Sequence, residues 1–524
     1  MIDATIFQIG LLPQLFVDNW LIEQSDSVTR RWHKPQRLGD GPVLAADQSW
    51  EHTPYFTYSN FNLLKDPTDG LIKCWYEDLG PMSPHQRHPW KNRMLYAVSE
   101  DGLRFEKPLL DRVPIDGQRT NIFAGYADGA APDSRNPWAD LGVHSAAIAI
   151  DPEPLDAAQR YRMLFTRATS DYGHQIDCAY SADGLDWHSY GRPPTFGAAG
   201  GRLSDVSTIS FDPVTRLYTQ YTRHGGMNTV GAPGDWPAVP SGWGGCFQSY
   251  YPNRPDLMNK RRVYRSVSAD FVNWSDLVPV STPDDQTDNL DEAHYGMGQF
   301  RVGAMHFGTL GVLRYVDNEM EVRLLHSRDG IAWQPTDNAR PFLAPRGGTH
   351  WDRHMVSIVS PPVRMGDEWY FYHGGSWAHH DYWWAGPQNL DHEEAKDPAS
   401  HVRFGMGVAA LRYEGLASLD NSGPRVGRIV TRPLHTDGRN LSINARCRPG
   451  GQIRVAVSDA NGRILPGRDF DDCMAFTGDA IRHDLRWADG NVPNATGQGY
   501  FKLWFEISDA ELFAFSFEER AGHG

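Results

Sequence analysis

One short pattern occurs four times along the chain, as Ser99-Glu100-Asp101-Gly102-Leu103-Arg104-Phe105, Ser181-Ala182-Asp183-Gly184-Leu185-Asp186-Trp187, Ser268-Ala269-Asp270-Phe271-Val272-Asn273-Trp274 and Ser327-Arg328-Asp329-Gly330-Ile331-Ala332-Trp333. Each copy follows a strand-like run, at residues 94–98, 176–180, 263–267 and 322–326. Asp-Gly followed by an aromatic residue predicts a tight turn into another short strand. The unit is therefore a β-hairpin, and its copies start 82, 87 and 59 residues apart. That spacing holds four short strands with loops, the size of a propeller blade carrying insertions. A single blade cannot bury both faces of its small sheet, so several must stack around an axis.

The rest of the chain divides into strand quartets. Blade one takes residues 55–61, 71–77, 94–98 and the strand after Asp101-Gly102. Blade two takes 143–150, 161–167, 176–180 and the strand after Asp183-Gly184; blade three takes 206–211, 217–223, 263–267 and the strand after Trp274, with a long insertion near 225–260. Blade four takes 294–302, 305–315, 322–326 and the strand after Trp333; blade five takes 355–363, 369–373, 406–412 and 416–419. An early strand at 15–23 is expected to pair with a late one and help close the ring. After Asp420, alternating runs at 441–445, 453–457, 501–507 and 512–517, separated by Gly, Asn-Gly and Pro turns, read as an antiparallel sandwich. The expected fold is all-β: a five-bladed β-propeller over residues 1–420 and a C-terminal β-sandwich over 421–524. A content of 51 Gly, 36 Pro and 12% aromatic residues suits such a loop-rich chain.

A formal charge of -15 argues against nucleic acid or an anionic membrane surface as partner. No stretch approaches ~20 consecutive apolar residues, so nothing is expected to span a membrane. The N-terminus lacks a basic segment followed by an apolar run, and the five cysteines are scattered without metal-type spacing. A cytoplasmic protein with reduced thiols is the expectation, although a mature chain stripped of its leader would read the same. The oligomeric state, homo-oligomer included, stays open.

In a propeller the innermost strands run side by side, and their starts converge on one end of the axis. Those entries carry Glu51 for blade one, His144 for blade two, Asp205 for blade three, Asp291, Glu292 and His294 for blade four, and His350, Asp352 and His354 for blade five. Converging carboxylates suit cleavage of a glycosidic bond, which needs a proton donor for the leaving oxygen and a carboxylate as nucleophile or base.

This layout resembles the five-bladed propeller glycoside hydrolases, the clan of families 32, 43, 62 and 68, and a propeller followed by a sandwich is most similar to family 32. That family carries Trp-Met-Asn-Asp-Pro, Arg-Asp-Pro and Glu-Cys in blades one, three and four. Here the same places hold Ser49-Trp50-Glu51-His52, Arg202-Leu203-Ser204-Asp205-Val206 and Asp291-Glu292-Ala293. By position the resemblance implies Glu51 as nucleophile or base, Asp205 as transition-state stabiliser and Glu292 as acid. Asp18 and Asp47 compete with Glu51, and Asp291 with Glu292. The motif departures leave retaining or inverting chemistry open.

His350, Asp352 and His354 alternate, so an extended segment would put them on one face. They are read as contacts to sugar hydroxyls rather than as metal ligands, and His144, His294, Asp291 and Arg223 as further substrate contacts. Trp187, Trp274 and Trp333 are blade-packing residues. Trp236, Trp243, Trp377, Trp383 and Trp384 fall in Gly- and His-rich connections, where they either stack on sugars or pack loops together. The expected activity is an exo-acting furanosidase on a carbohydrate substrate, with no organic cofactor and no metal. Two alternatives stand beside it. A glycoside phosphorylase needs arginines beside the acid, with Arg202, Arg223, Arg262 and Arg353 available. A non-catalytic carbohydrate-binding propeller needs only aromatic platforms and hydrogen-bond donors.

Overall fold

The repeated hairpin is held by its own side chains. Ser99 Oγ accepts from the Gly102 amide at 2.8 Å, and Asp101 Oδ1 accepts from the amides of Leu103 and Arg104, each at 2.8 Å. The Ser181 and Ser327 copies repeat this, and Gly102, Gly184 and Gly330 all sit at positive φ, between 71° and 79°. In the third copy Phe271 takes the glycine's place at φ 70°. The turn carbonyl then accepts from the neighbouring blade: Trp75 Nε1 donates to Gly184 O at 2.7 Å, Tyr221 OH to Gly330 O at 2.8 Å and Tyr372 OH to Gly102 O at 3.0 Å. In the third copy the inter-blade contact falls one residue earlier, with Arg162 Nη1 donating to Asp270 O at 3.1 Å. The hairpin is thus both a turn and an inter-blade fastener.

The computed structural model describes residues 7–79, 92–126, 142–168, 174–197, 203–224, 261–284, 286–289, 291–314, 317–380, 403–436, 440–488 and 500–518. Within them the chain is all-β, and consecutive antiparallel meanders follow the expected spacing. The first runs through Thr53–Tyr55 with Phe61–Lys65, then Ile72–Leu79, Arg93–Ser99 and Ile122–Gly125. The second comprises Val143–Ile150, Tyr161–Ala168, His174–Ser181 and His188–Ser189, and the third Leu203–Asp212, Leu217–His224, Val263–Ser268 and Val278–Ser281. The fourth comprises Glu292–Val302, Met305–Arg314 and Glu319–Ser327, edged by Gln334–Pro335 and Pro341–Leu343. The fifth is built on Met355–Ser357 with Val363–Met365, Glu368–Ser376 and Phe404–Arg412.

Two strands differ from expectation. The outer strand of blade one is Ile122–Gly125, while Leu110–Ile115 and Gln118–Thr120 form a separate hairpin after the Asp101-Gly102 turn. Blade five takes its outer edge from the N-terminal segment, through Gln36–Arg37 and Leu44–Ala45, and not from the 416–419 run. That run, as Ala417–Asn421, pairs instead with Thr29–Trp32 and Phe501–Glu518. The expected early strand does meet late ones, since Gln14–Leu15 pairs with Phe501–Glu518 and Ile22–Asp26 with Gly427–Thr431. Strands from residues 7–32 therefore share one hydrogen-bonded sheet with those from 417 onward. Asn440–Asp459 and Phe501–Glu518 pair along nearly their whole lengths, each joining two runs that looked separate in sequence. Their inward faces bury Leu441, Ile443, Ile453, Val455, Leu503 and Phe505.

Arg37 ties the closing strand down. Its Nε donates to Asp352 Oδ2 at 2.8 Å and its Nη2 to Ala344 O at 2.6 Å, while Arg346 Nε reaches Asp352 Oδ1 at 2.6 Å. At the axis, Ser59 Oγ donates to Ser207 O at 2.8 Å, from blade one to blade three, and Tyr58 OH donates to Thr309 O of blade four at 3.1 Å. A Cβ on Gly311 would lie 2.4 Å from the Tyr58 ring, so glycine is what admits that ring. Tyr58 is buried there between blades one and four. No helix among the described residues is long and apolar enough to cross a membrane.

Candidate active site

Three inner strands break register at the entry end: between His144 and Ala147, between Leu203 and Ser207, and between His294 and Gly296. Bulges of this kind re-aim side chains that a regular strand would alternate. They turn His144, Asp205 and Tyr295 toward a common region.

Glu77, near the end of Ile72–Leu79, lies at its floor. It is fully buried and accepts from His144 Nδ1 at 2.6 Å, Asn92 Nδ2 at 2.6 Å, the Ser145 amide at 3.0 Å and Asn60 Nδ2. The other His144 nitrogen, Nε2, stands 3.5 Å from Asp205 Oδ2, and Arg223 Nη2 is hydrogen-bonded to Asp205 Oδ1. Burial alone would depress the imidazole's affinity for a proton. The carboxylates of Glu77 and Asp205 overcome that and raise His144 to about 10, so it is an imidazolium at neutral pH. The Asp205 side chain keeps 37% of its surface exposed, whereas Glu77 keeps none. The Tyr295 ring packs beside them, with the guanidinium carbons of Arg223 at 4.9 Å and Arg261 at 4.5 Å from its centroid and the His380 ring at 4.9 Å.

A second group occupies the blade-four entry. Glu292 receives Arg323 Nη1 at 3.0 Å and Nη2 at 2.9 Å, with Asn289 Nδ2 at 2.6 Å. Burial would raise its pKa, but these donors hold it below the usual carboxylate value. A carboxylate so held is ionised. Asp291 takes Arg314 Nε at 3.0 and 3.2 Å. His294 is buried against Ser281 Oγ at 2.7 Å, and burial lowers its pKa to about 4.

The remaining expected residues are distributed differently. The Glu51 carboxylate is buried beside blade one, accepting from Tyr76 OH at 2.7 Å, Lys107 Nζ at 2.8 Å and the amides of Asp47 and Gln48 at 2.9 and 3.0 Å. All these partners come from blade one and its flanks. Residues 350–354 form a turn, not a strand, so the expected alternation onto one face fails. His350 is exposed, Asp352 is fully buried in the Arg37 and Arg346 clasp, and His354 meets Glu319 at 2.9 Å. Trp377 is partly buried under Arg353, whose guanidinium carbon is 4.7 Å from its ring centroid. Trp243, with Trp236, Trp383, Trp384, Arg202 and the 225–260 insertion, lies outside the described residues, as does the His224 side chain. A cavity of about 520 Å³ lined by Thr29, Arg31, Asp420 and Arg425 belongs to the C-terminal sheet and holds none of these groups.

Sequence reasoning missed Glu77. Its signal was an acidic pair, Glu77-Asp78, closing a strand that otherwise reads Ile-Lys-Cys-Trp-Tyr. Buried acids inside an apolar strand require partners and mark a built site.

No protein-family model matches the sequence, and no curated protein matches it. Among solved structures, the chain is similar to a putative glycosidase from Bacteroides thetaiotaomicron, at 16% identity and TM-score 0.42, over 71% of this chain and 96% of that one. It is also similar to a thermostable family-43 glycoside hydrolase, at 10% identity and TM-score 0.41, over 74% and 97%. A third similar structure is described as belonging to the GH130 family of mannoside phosphorylases, which contains glycoside hydrolases that target β-1,2 mannosidic linkages in Candida mannan; identity is 15%, TM-score 0.42 and coverage 75% and 96%.

Proposed function

We propose that the chain cleaves glycosidic bonds at the entry end of the axis, with Asp205 as the carboxylate that meets the sugar. The observation that carries this is the group of Glu77, His144, Asp205 and Arg223: a buried acid charges an imidazole, and that imidazolium and a guanidinium fix one partly exposed carboxylate. An ionised, oriented carboxylate facing the anomeric carbon either attacks it or stabilises the oxocarbenium-like charge that develops there. Glu77 and His144 act through Asp205 and are positioning residues. The proton for the leaving oxygen is assigned to the blade-four entry, where Asp291 and Glu292 are the two candidate donors, Asp291 paired with Arg314 and Glu292 with Arg323 and Asn289. A furanoside is the first substrate class to try, on the resemblance of the sequence to the family 32 clan.

One observation favours a second reading. Arg223 and Arg261 converge on Tyr295 beside Asp205, as phosphorolysis would require of an anion site next to the sugar.

The test is release from a panel of aryl furanosides and pyranosides, with and without phosphate, by the wild type, Asp205→Asn, Asp291→Asn and Glu292→Gln. Phosphate-independent release that falls by about 10²–10³-fold in Asp205→Asn supports hydrolysis by this group. Whichever of Asp291→Asn and Glu292→Gln retains most of its rate on activated aryl leaving groups and loses it on alkyl ones identifies the donor. Release that requires phosphate selects phosphorolysis. Sugar binding without release from any substrate would make the propeller a binding module.

A further inference from the structure

Away from the Asp205 group, three side chains from three separate segments meet at the same end of the propeller. Glu319 starts the third strand of blade four, His354 precedes the inner strand of blade five, and His379 follows that blade's second strand. One donor atom from each lies within 4.8 Å of the other two. His354 Nδ1 is 2.9 Å from Glu319 Oε1, and the two imidazole rings stack with centroids 3.5 Å apart at 27°. Arg353 Nε donates to His354 Nε2 at 2.6 Å, which requires a lone pair there. In that contact Nε2 of His354 is the acceptor, and Nδ1 is the ring nitrogen that faces Glu319.

We propose that Glu319, His354 and His379 form a binding site for a divalent cation of the zinc class. Two imidazoles and a carboxylate match zinc and its neighbours in the first transition row, and they suit calcium and magnesium poorly, because those ions take oxygen ligands. Tetrahedral bonds of about 2.1 Å set donors about 3.4 Å apart, so the ion opens the His354–Glu319 pair slightly and draws the more distant donors inward. Binding at Nδ1 moves the ring proton to Nε2, where it meets the Arg353 N–H. Arg353 must then give up that hydrogen bond, and its guanidinium already lies over Trp377. Arg353 and the cation thus compete for His354.

The site does not depend on the glycosidic reading, and its test involves no turnover. The chelator-treated full-length protein is titrated with Zn²⁺ by calorimetry and with Co²⁺ by visible absorption, with Ca²⁺ as the contrasting ion. One equivalent of Zn²⁺ and a tetrahedral Co²⁺ spectrum are expected. Glu319→Gln and His379→Ala each weaken binding at least tenfold, and Arg353→Met tightens it several-fold. Apo melting curves of the variants verify folding, and the Arg353→Met arm removes no proposed ligand. No stoichiometric Zn²⁺ binding, binding unchanged in both ligand variants, or weaker binding in Arg353→Met overturns the proposal.

Discussion

At the scale of single residues, His144 carries the clearest titration. Its folded pKa is raised to about 10, against an ordinary 6.5, so between those values the folded chain holds a proton that the unfolded chain has lost. The associated stability is fully present below about pH 6.5 and disappears as the pH rises through about 10. The thermal midpoint of the wild type is therefore expected to fall more steeply between pH 7 and 10 than that of His144→Gln; parallel curves would contradict the charged imidazole. The contrast between Glu51 and Glu77 belongs to the same scale. Both are buried acids of blade one, but Lys107 and Tyr76 neutralise one locally, while a histidine from blade two recruits the other. Which acid faced which neighbour was not written in the spacing, because it depends on bulges that rotate side chains by one position.

At the scale of elements, the hairpin was legible because its chemistry is local: Ser, Asp and Gly satisfy each other within a few residues. Its second role was hidden. A Cβ on Gly184 would come within 2.8 Å of the Trp75 ring, and its φ of 79° already disfavours any side chain. Gly184→Ala is expected to cost roughly 2 kcal/mol in denaturant unfolding, from backbone strain and the lost close approach. Phe271, in the equivalent place, pays the φ penalty but buries its ring against Tyr218 and Trp274. Phe271→Gly should therefore destabilise by about 2–3 kcal/mol, since losing a buried aromatic outweighs the relieved strain; a more stable variant would refute that balance. The segment at 350–354 misled for the opposite reason. Polar residues in alternation look extended, yet Asp352 is drawn inward by two arginines distant in sequence or across a turn.

For the whole molecule, ring closure rests on a few groups. Blade five is completed by residues 36–45, and Arg37 fastens that edge to a fully buried carboxylate. Arg37→Ala leaves Asp352 with Arg346 and His373 only, and is expected to cost roughly 2–3 kcal/mol, less than the loss of a sole partner. Limited proteolysis should then cut first around residues 36–45; an unchanged cleavage pattern would show that the ring is held elsewhere. Strands within residues 7–32 and 417–518, which flank the meanders in sequence, are held in one sheet.

The sequence by itself determined the all-β class, the repeat and the order of the meanders, because turn chemistry and alternation act over a handful of neighbours. The tertiary structure decided which of those residues meet. Contacts between Glu77, His144 and Asp205 depend on strand register, on bulges and on the rotation of one blade against the next. Such contacts join residues 61 positions or more apart, and no local pattern in the chain encodes where a neighbouring blade will place its side chains.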